Sequence, residues 1–453
     1  MSFRRLLLGG LLAFTVAYAL FAIIHMLPPA PYGIADDWRV FYAAAHVIAD
    51  GGNPYNWATI HGAEQAAQHY ASVQPPLDNF ADLPVVGLAL CVLAWMPFWV
   101  SYAVFSGLCV AAAVIALRAW LRELGWSGAG PWIAAAALSW PTLVGVFSGQ
   151  FDLLMLGGLV GSLILMRRNA PWLAGICMVV VLLKPHILWP LPLLLGAAWV
   201  ADPPRLRRFA ISAVTVLAAG AVVGFAIVPH SGDFFSHALS FDSQVTSDQP
   251  DLAGLPGLVA HLPAGAPLGD AVAAAGALGI LVLVVVAVRS RRLRELAPER
   301  RCLLPLAGLA IWLALTPYAH PNDDVLLFPL LAVVVGERGR NLEMRWLQAG
   351  IIGSLALIAG FVAATVLGAA LLGAAVLGWL VYRERVPGHA APALALAAIA
   401  VLPDVWPFHA VAVSLTPIAV TLAALAGVVE LRISRRANVS AGRSAALALS
   451  ATP

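Results

Sequence analysis

Charge is what this sequence has least of. Only 11% of its 453 residues are Asp, Glu, Lys or Arg, too few to cover the surface of a soluble domain of that length. Paired cysteines are absent too. Cys91, Cys109, Cys177 and Cys302 are scattered through apolar stretches and none forms a CxxC pair, which argues against a disulfide framework or a cysteine metal cluster and leaves them as small core residues. Strict alternation of apolar and polar residues is missing from the apolar runs, which argues against a β-barrel. No convincing internal repeat is visible, and that weakens a secondary-transporter reading. The net charge of +3 comes from short basic loops and does not indicate nucleic acid as a partner.

What is there is apolar. Hydrophobic residues make up 61% of the chain and the mean hydropathy is +0.88. Runs long enough to cross a bilayer recur along nearly its whole length. The expected fold is all-α, a polytopic bundle of about 12–14 spans. The run from Leu6 to Leu27 follows Arg4 and Arg5. It is too long for a signal-peptide core and reads as a first span with a cytoplasmic N-terminus. Basic clusters at Arg118/Arg122, Arg167/Arg168, Arg205/Arg207/Arg208, Arg289 to Arg301, Arg338/Arg340/Arg345, Arg383/Arg385 and Arg432/Arg435/Arg436 then mark cytoplasmic loops, with both termini inside. The segments Pro28 to Asp82, Ser148 to Asp152, Lys184 to His186, His230 to Asp270 and Thr316 to Asp324 are poor in Lys and Arg and fall on the outer face. Leu83 to Trp95 is apolar but short, and Met96-Pro97 interrupts it. If it crossed, the later basic loops would be turned outside, so it reads as an interfacial or re-entrant helix. Residues 1–436 form one membrane domain, the region from Trp346 to Tyr382 is hard to divide into spans, and the Ser/Ala-rich tail 437–453 reads as disordered.

The polar residues near membrane depth converge on that outer side. Asp36 and Asp37 follow the first span; Gln150 and Asp152 sit in SGQFD; Lys184 and His186 in LLKPH; Tyr318, His320, Asn322, Asp323 and Asp324 in TPYAHPNDD. Ionisable residues at such depth are costly and usually functional. A carboxylate can take a proton from an acceptor hydroxyl. Lys or His can hold and stabilise a leaving phosphate, and an outer aromatic layer can hold sugar rings. Asp37 is the expected base, with Asp36 beside it as the expected N-cap of the helix that follows. The bland alternatives are a snorkelling Lys184, a Gln150 bonded between helices, and Asp323/Asp324 as helix caps.

Three stretches resemble glycosyltransferase family 87, a family of GT-C membrane glycosyltransferases. The first is Asp37-Trp38-Arg39-Val40-Phe41-Tyr42 with Ala44, Gly51 and Pro54-Tyr55. The second is Gly149-Gln150, an apolar span, Arg167-Arg168, Leu173-Ala174-Gly175 and Leu183-Lys184-Pro185. The third runs from Thr316-Pro317-Tyr318 through His320 to Asp324. Where the family often has Tyr-Pro-Pro, this chain reads Asp82-Leu83-Pro84. The resemblance implies a GT-C fold and an inverting transfer at the outer face of the plasma membrane. The donor would be a polyprenyl-phosphate sugar, with mannose ahead of arabinofuranose, and the acceptor a lipid-linked glycan or glycolipid. It implies Asp37 as catalytic base and places the family's Lys-Pro element at Lys184 and Pro185; the residues themselves add Asp36 as the second catalytic candidate, His186, His320 and Arg39 beside Lys184 at the donor phosphate, and Tyr42, Tyr55, Gln150, Tyr318 and Asp323 on substrate. No soluble nucleotide-sugar domain, metal-ligand cluster or cofactor is expected.

Overall fold

The computed structural model describes residues 35–67, 80–126, 130, 133, 136–137, 140–237, 254–260, 265–296 and 298–337. The first apolar run, the 346–382 region and the tail after Arg436 lie outside the described residues. Every described element is helical: α1 (Asp36–Ala49), α2 (Trp57–Ala67), α3 (Pro84–Ala94), α4 (Phe98–Glu123), α5 (Trp140–Ser148), α6 (Asp152–Arg167), α7 (Pro171–Ile176) continuing as a 3-10 turn over Cys177–Leu182, α8 (Pro185–Leu188), α9 (Pro190–Ala198), α10 (Pro203–Ile227), α11 (Gly254–Ala260), α12 (Gly265–Arg289), two basic turns α13 (Arg291–Arg294) and α14 (Pro298–Arg301), α15 (Leu303–Leu315), a second 3-10 segment over Pro321–Leu327, and α16 (Phe328–Glu337). An all-α polytopic membrane protein follows from these elements.

Among the described residues, three helices are long and apolar enough to span a bilayer: Phe98–Glu123, Pro203–Ile227 and Pro267–Arg289. At 1.5 Å per residue each is about 35–39 Å long, against a hydrocarbon core of about 30 Å. Their outward faces stay apolar, with Leu108, Ile115, Val214, Val222, Leu278 and Val286 exposed. Such faces are stable against lipid tails rather than water. The inward face of α4 carries Ser101, Phe105, Cys109, Ala113, Ala116 and Trp120, a three-and-four spacing that sets one stripe against the core. That stripe packs on α6, where Met155, Leu156, Leu159 and Leu163 are fully buried. Small residues bring the helices close: a Cβ on Gly175 would lie 2.5 Å from that of Ser212 on α10.

The two ends of the bundle differ in charge. Glu123 at the end of α4 pairs with Arg168 at the end of α6, and Arg205 at the start of α10 donates to Asn169 and pairs with Asp202. Basic residues collect here. At the opposite end, α1 crosses the mouths of α4, α5 and α6. The indole of Trp38 donates to Ser101 and stacks on Phe105, and the amide of Ala35 donates to the carbonyl of Phe147. The short helix α3 stays at this second end. Its start abuts Gly224 near the end of α10, and the carbonyl of Met96 just beyond it accepts from the Tyr42 hydroxyl. The eleven residues of α3 cover about 17 Å, less than the hydrocarbon core of about 30 Å.

Candidate active site

Proline and glycine build the second end of the bundle. The apolar run from Pro171 to Ala198 is broken at Lys184, where φ −137° and ψ 79° interrupt the helix and Pro185 starts the next one. Proline has no N–H to continue a helix and suits a first helical position. The break turns the Lys184 side chain inward. Gly149, at φ +83°, makes the turn between α5 and α6, and a Cβ there would lie 2.6 Å from that of Trp38, so only glycine fits both the conformation and the space.

A buried ion network forms the floor. The Lys184 ammonium lies 2.9 Å from Asp152 Oδ1 and 3.0 Å from Asp323 Oδ1. Asp152 Oδ2 accepts from the Asn322 amide at 2.6 Å. Asp323 Oδ2 accepts from the His320 backbone N–H at 2.8 Å, half of a capping box that starts the Pro321–Leu327 turn. Lys184, Asp152, Asn322 and Asp323 are all buried. Two of the three ammonium hydrogens are therefore occupied, and Lys184 is not a snorkelling side chain. Asp323 acts as a cap and an ion partner at once. The Lys184 charge, working against burial, holds the Asp323 carboxyl below its ordinary value.

Above the floor lie part-exposed side chains. Asp37 is in the first turn of α1 and keeps some solvent access. Burial raises its pKa, while the neighbouring Gln150, the positive fields of His320 and Lys184, and the nearby Ser148 oppose the rise. Asp82 faces the same region. Burial lifts its carboxyl to about 7, with Lys184 lowering and Asp37 raising it. The exposed His186 ring meets Tyr318 edge to face at 5.6 Å, and Tyr318 meets His320 at 4.8 Å.

The structure thus brings together Asp37, Gln150, Lys184, His186, Tyr318, His320 and Asp323. Other expected residues serve elsewhere. The cap of α1 is Ala35, held at φ 66°, so Asp36 is not the cap. Asp36 pairs instead with Arg39 at 3.1 Å, and Arg39, fully buried, also lies 3.5 Å from buried Glu64. The hydroxyls of Tyr42 and Tyr55 are taken by the carbonyls of Met96 and Asp82. Asp152 and Asp82 join the group, although the sequence pattern alone does not mark either as a site residue. The signal for Asp152 was an acid opening an apolar helix; the inward turn of Lys184 that pairs with it is a tertiary fact. Among the described residues no group of His, Cys, Asp and Glu has metal-binding geometry.

The family model for glycosyltransferase family 87 matches residues 83–317, just over half of the chain. Asp37 lies ahead of that stretch, and the Thr316–Asp324 segment begins inside it and runs past its end. Comparison with curated proteins and with solved structures returned no match.

Proposed function

Because the chain belongs to glycosyltransferase family 87, and is therefore a membrane glycosyltransferase, we propose that it transfers a sugar, mannose in the first instance, from a polyprenyl-phosphate carrier to a lipid-linked glycan or glycolipid at the outer face of the plasma membrane. The observation that carries this reading is the approach of one part-exposed carboxylate, Asp37, to the histidine and lysine side chains of two other segments.

The chemistry follows from those groups. Asp37 takes the proton from an acceptor hydroxyl. The hydroxyl oxygen attacks the anomeric carbon on the face opposite the phosphate, the bond from that carbon to the phosphate oxygen breaks, and polyprenyl phosphate leaves with its electron pair. The sugar configuration is inverted. Gln150 and Ser148 lie beside Asp37 and favour its charged form. His320 and the third hydrogen of Lys184 supply the positive side against which phosphate charge develops, and His186, pressed down to about 3 by burial and by the charges of Lys184 and His320, stays neutral and can offer only a ring N–H. Arg39, tied to Asp36 and Glu64, holds the first turn of α1 in place rather than meeting the donor.

The test is transfer by purified, reconstituted protein using radiolabelled polyprenyl-phosphate mannose and polyprenyl-phosphate arabinofuranose. Transfer from mannose is expected, and Asp37→Asn should lose it by at least about 100-fold with the fold intact. Asp36→Asn should cost stability through Arg39 and spare turnover by comparison. Near-parental turnover by Asp37→Asn would overturn the base assignment, and transfer from neither donor would overturn the reading.

A further inference from the structure

An open cavity of about 470 Å³ lies at the surface where the start of α2 and the residues just before it meet helical residues 233–237 after α10, a volume inside the usual range of about 300–1,000 Å³ for ligand sites. Its walls are Asn53, Asn56, Trp57, Asp233, Ser236 and His237, with Tyr55 at its base. We propose that this cavity is a subsite for an uncharged saccharide, a sugar unit of the acceptor glycan lying outside the transfer site. The assignment to the acceptor rests on the transferase reading; the binding chemistry does not.

The walls are fixed in advance. The Trp57 indole N–H donates to His237, 2.7 Å away, and their rings stand nearly perpendicular with centroids 5.4 Å apart. The Asn53 amide is used at both ends. Its Nδ2 donates to Asp233 at 2.8 Å and its Oδ1 accepts from the Tyr55 N–H at 2.9 Å. Asn56 Oδ1 accepts from the Thr59 N–H at 3.1 Å and so caps α2. These bonds leave the Nδ2 of Asn56 and the second oxygen of Asp233, on two exposed residues of the wall, for a ligand, beside the partly buried indole of Trp57. An apolar ring face next to one amide donor and one carboxylate acceptor matches a pyranose or furanose, which presents C–H groups on one face and hydroxyls around its edge. Among the described residues no Lys or Arg lines the cavity, and Asp233 repels anions. A phosphate or other acidic ligand is therefore disfavoured, unlike at the transfer site. The two sites adjoin, since the Tyr55 hydroxyl at the base of the cavity donates to the carbonyl of Asp82, whose carboxyl feels the charges of Asp37 and Lys184.

Direct binding separates this inference from the transferase reading. Saturation-transfer NMR on full-length protein in nanodiscs, without any donor, would use α-mannotriose as the neutral probe and mannose 1-phosphate as the charged one. Mannotriose should bind, and mannose 1-phosphate at least about tenfold more weakly. Trp57→Ala should weaken mannotriose binding at least about tenfold, and Trp57→Phe, which keeps an aromatic face, less. Two substitutions at exposed positions guard against a folding failure at Trp57. Asp233→Ala removes the acceptor, and Asn56→Asp keeps the cap while replacing the donor; each should weaken binding several-fold. Equal binding by parent, Asp233→Ala and Asn56→Asp would overturn the subsite, as would tighter binding of mannose 1-phosphate. Mannotriose binding lost in these variants, in a protein that transfers from no polyprenyl-phosphate donor, would keep the subsite and sink the transferase reading.

Discussion

Removing the Lys184 ammonium should be strongly destabilising. Lys184→Ala leaves Asp152 and Asp323 facing one another in a buried floor with no cation between them. At 2.9 and 3.0 Å, and with an effective dielectric near 20, each attraction is worth about 5–6 kcal/mol before desolvation. Removing one member of a buried pair typically shows a net loss of about 3–5 kcal/mol, because the remaining charge stays buried and uncompensated. Here two carboxylates are stranded, so the upper part of that range applies. Unfolding in mixed micelles, followed by helical circular dichroism, measures the loss. Adding Asp323→Asn to Lys184→Ala should recover part of it, since Asn removes one stranded charge while still accepting from the His320 N–H. Lys184→Arg should keep part of both stability and transfer, because the charge survives while its geometry changes. A Lys184→Ala protein within about 0.5 kcal/mol of the parent would refute the network, and unchanged dependence of its transfer rate on donor concentration would remove Lys184 from the donor side.

Three further outcomes are expected. Gly149→Ala should destabilise by about 1–3 kcal/mol and slow transfer, because it combines a positive-φ conformation with a 2.6 Å clash against Trp38. Gly125→Ala, at φ +75° with nothing near its Cβ, should cost only the conformational part, and equal losses at both positions would count against the close approach of α1. Asp82 titrates near pH 7 in the folded protein against 3.8 ordinarily, so the folded state holds a proton the unfolded chain has released, and stability falls as pH rises between those values. The advantage of Asp82→Asn should accordingly be larger at pH 8 than at pH 5 by thermal unfolding, and an equal gap at both would sink the assignment. In a background lacking the four cysteines, an impermeant maleimide added to intact cells should label Thr59→Cys and not Arg122→Cys; the reverse pattern would invert the topology.

Much of this protein was legible in its sequence because the bilayer constrains composition so strongly. Apolar runs such as Phe98–Glu123 announce helices whatever they pack against, since backbone groups in lipid must bond internally. The short Leu83–Trp95 segment could be kept off the list of spans by length and charge alone. The gathering of Asp37, Lys184 and the Thr316–Asp324 segment was also anticipated, because ionisable residues at helix ends on one side of a membrane have few places to go. Partnership was another matter. Arg39 and Lys184 look alike in sequence, each a basic residue on the expected outer side. Only the tertiary structure buries one between Asp36 and Glu64 and the other between Asp152 and Asp323. Tyr42 and Tyr55 likewise read as substrate contacts until their hydroxyls are seen bonded to the carbonyls of Met96 and Asp82. A hydrogen bond or ion pair between residues tens to hundreds of positions apart depends on how helices cross, and the periodicity of one helix carries no record of its neighbour. The sequence by itself determined that helices cross a membrane and which end of them gathers the acids; the crossing of α1 over the mouths of α4, α5 and α6 decided which carboxylate stays open to a substrate and which ones hold the floor beneath it.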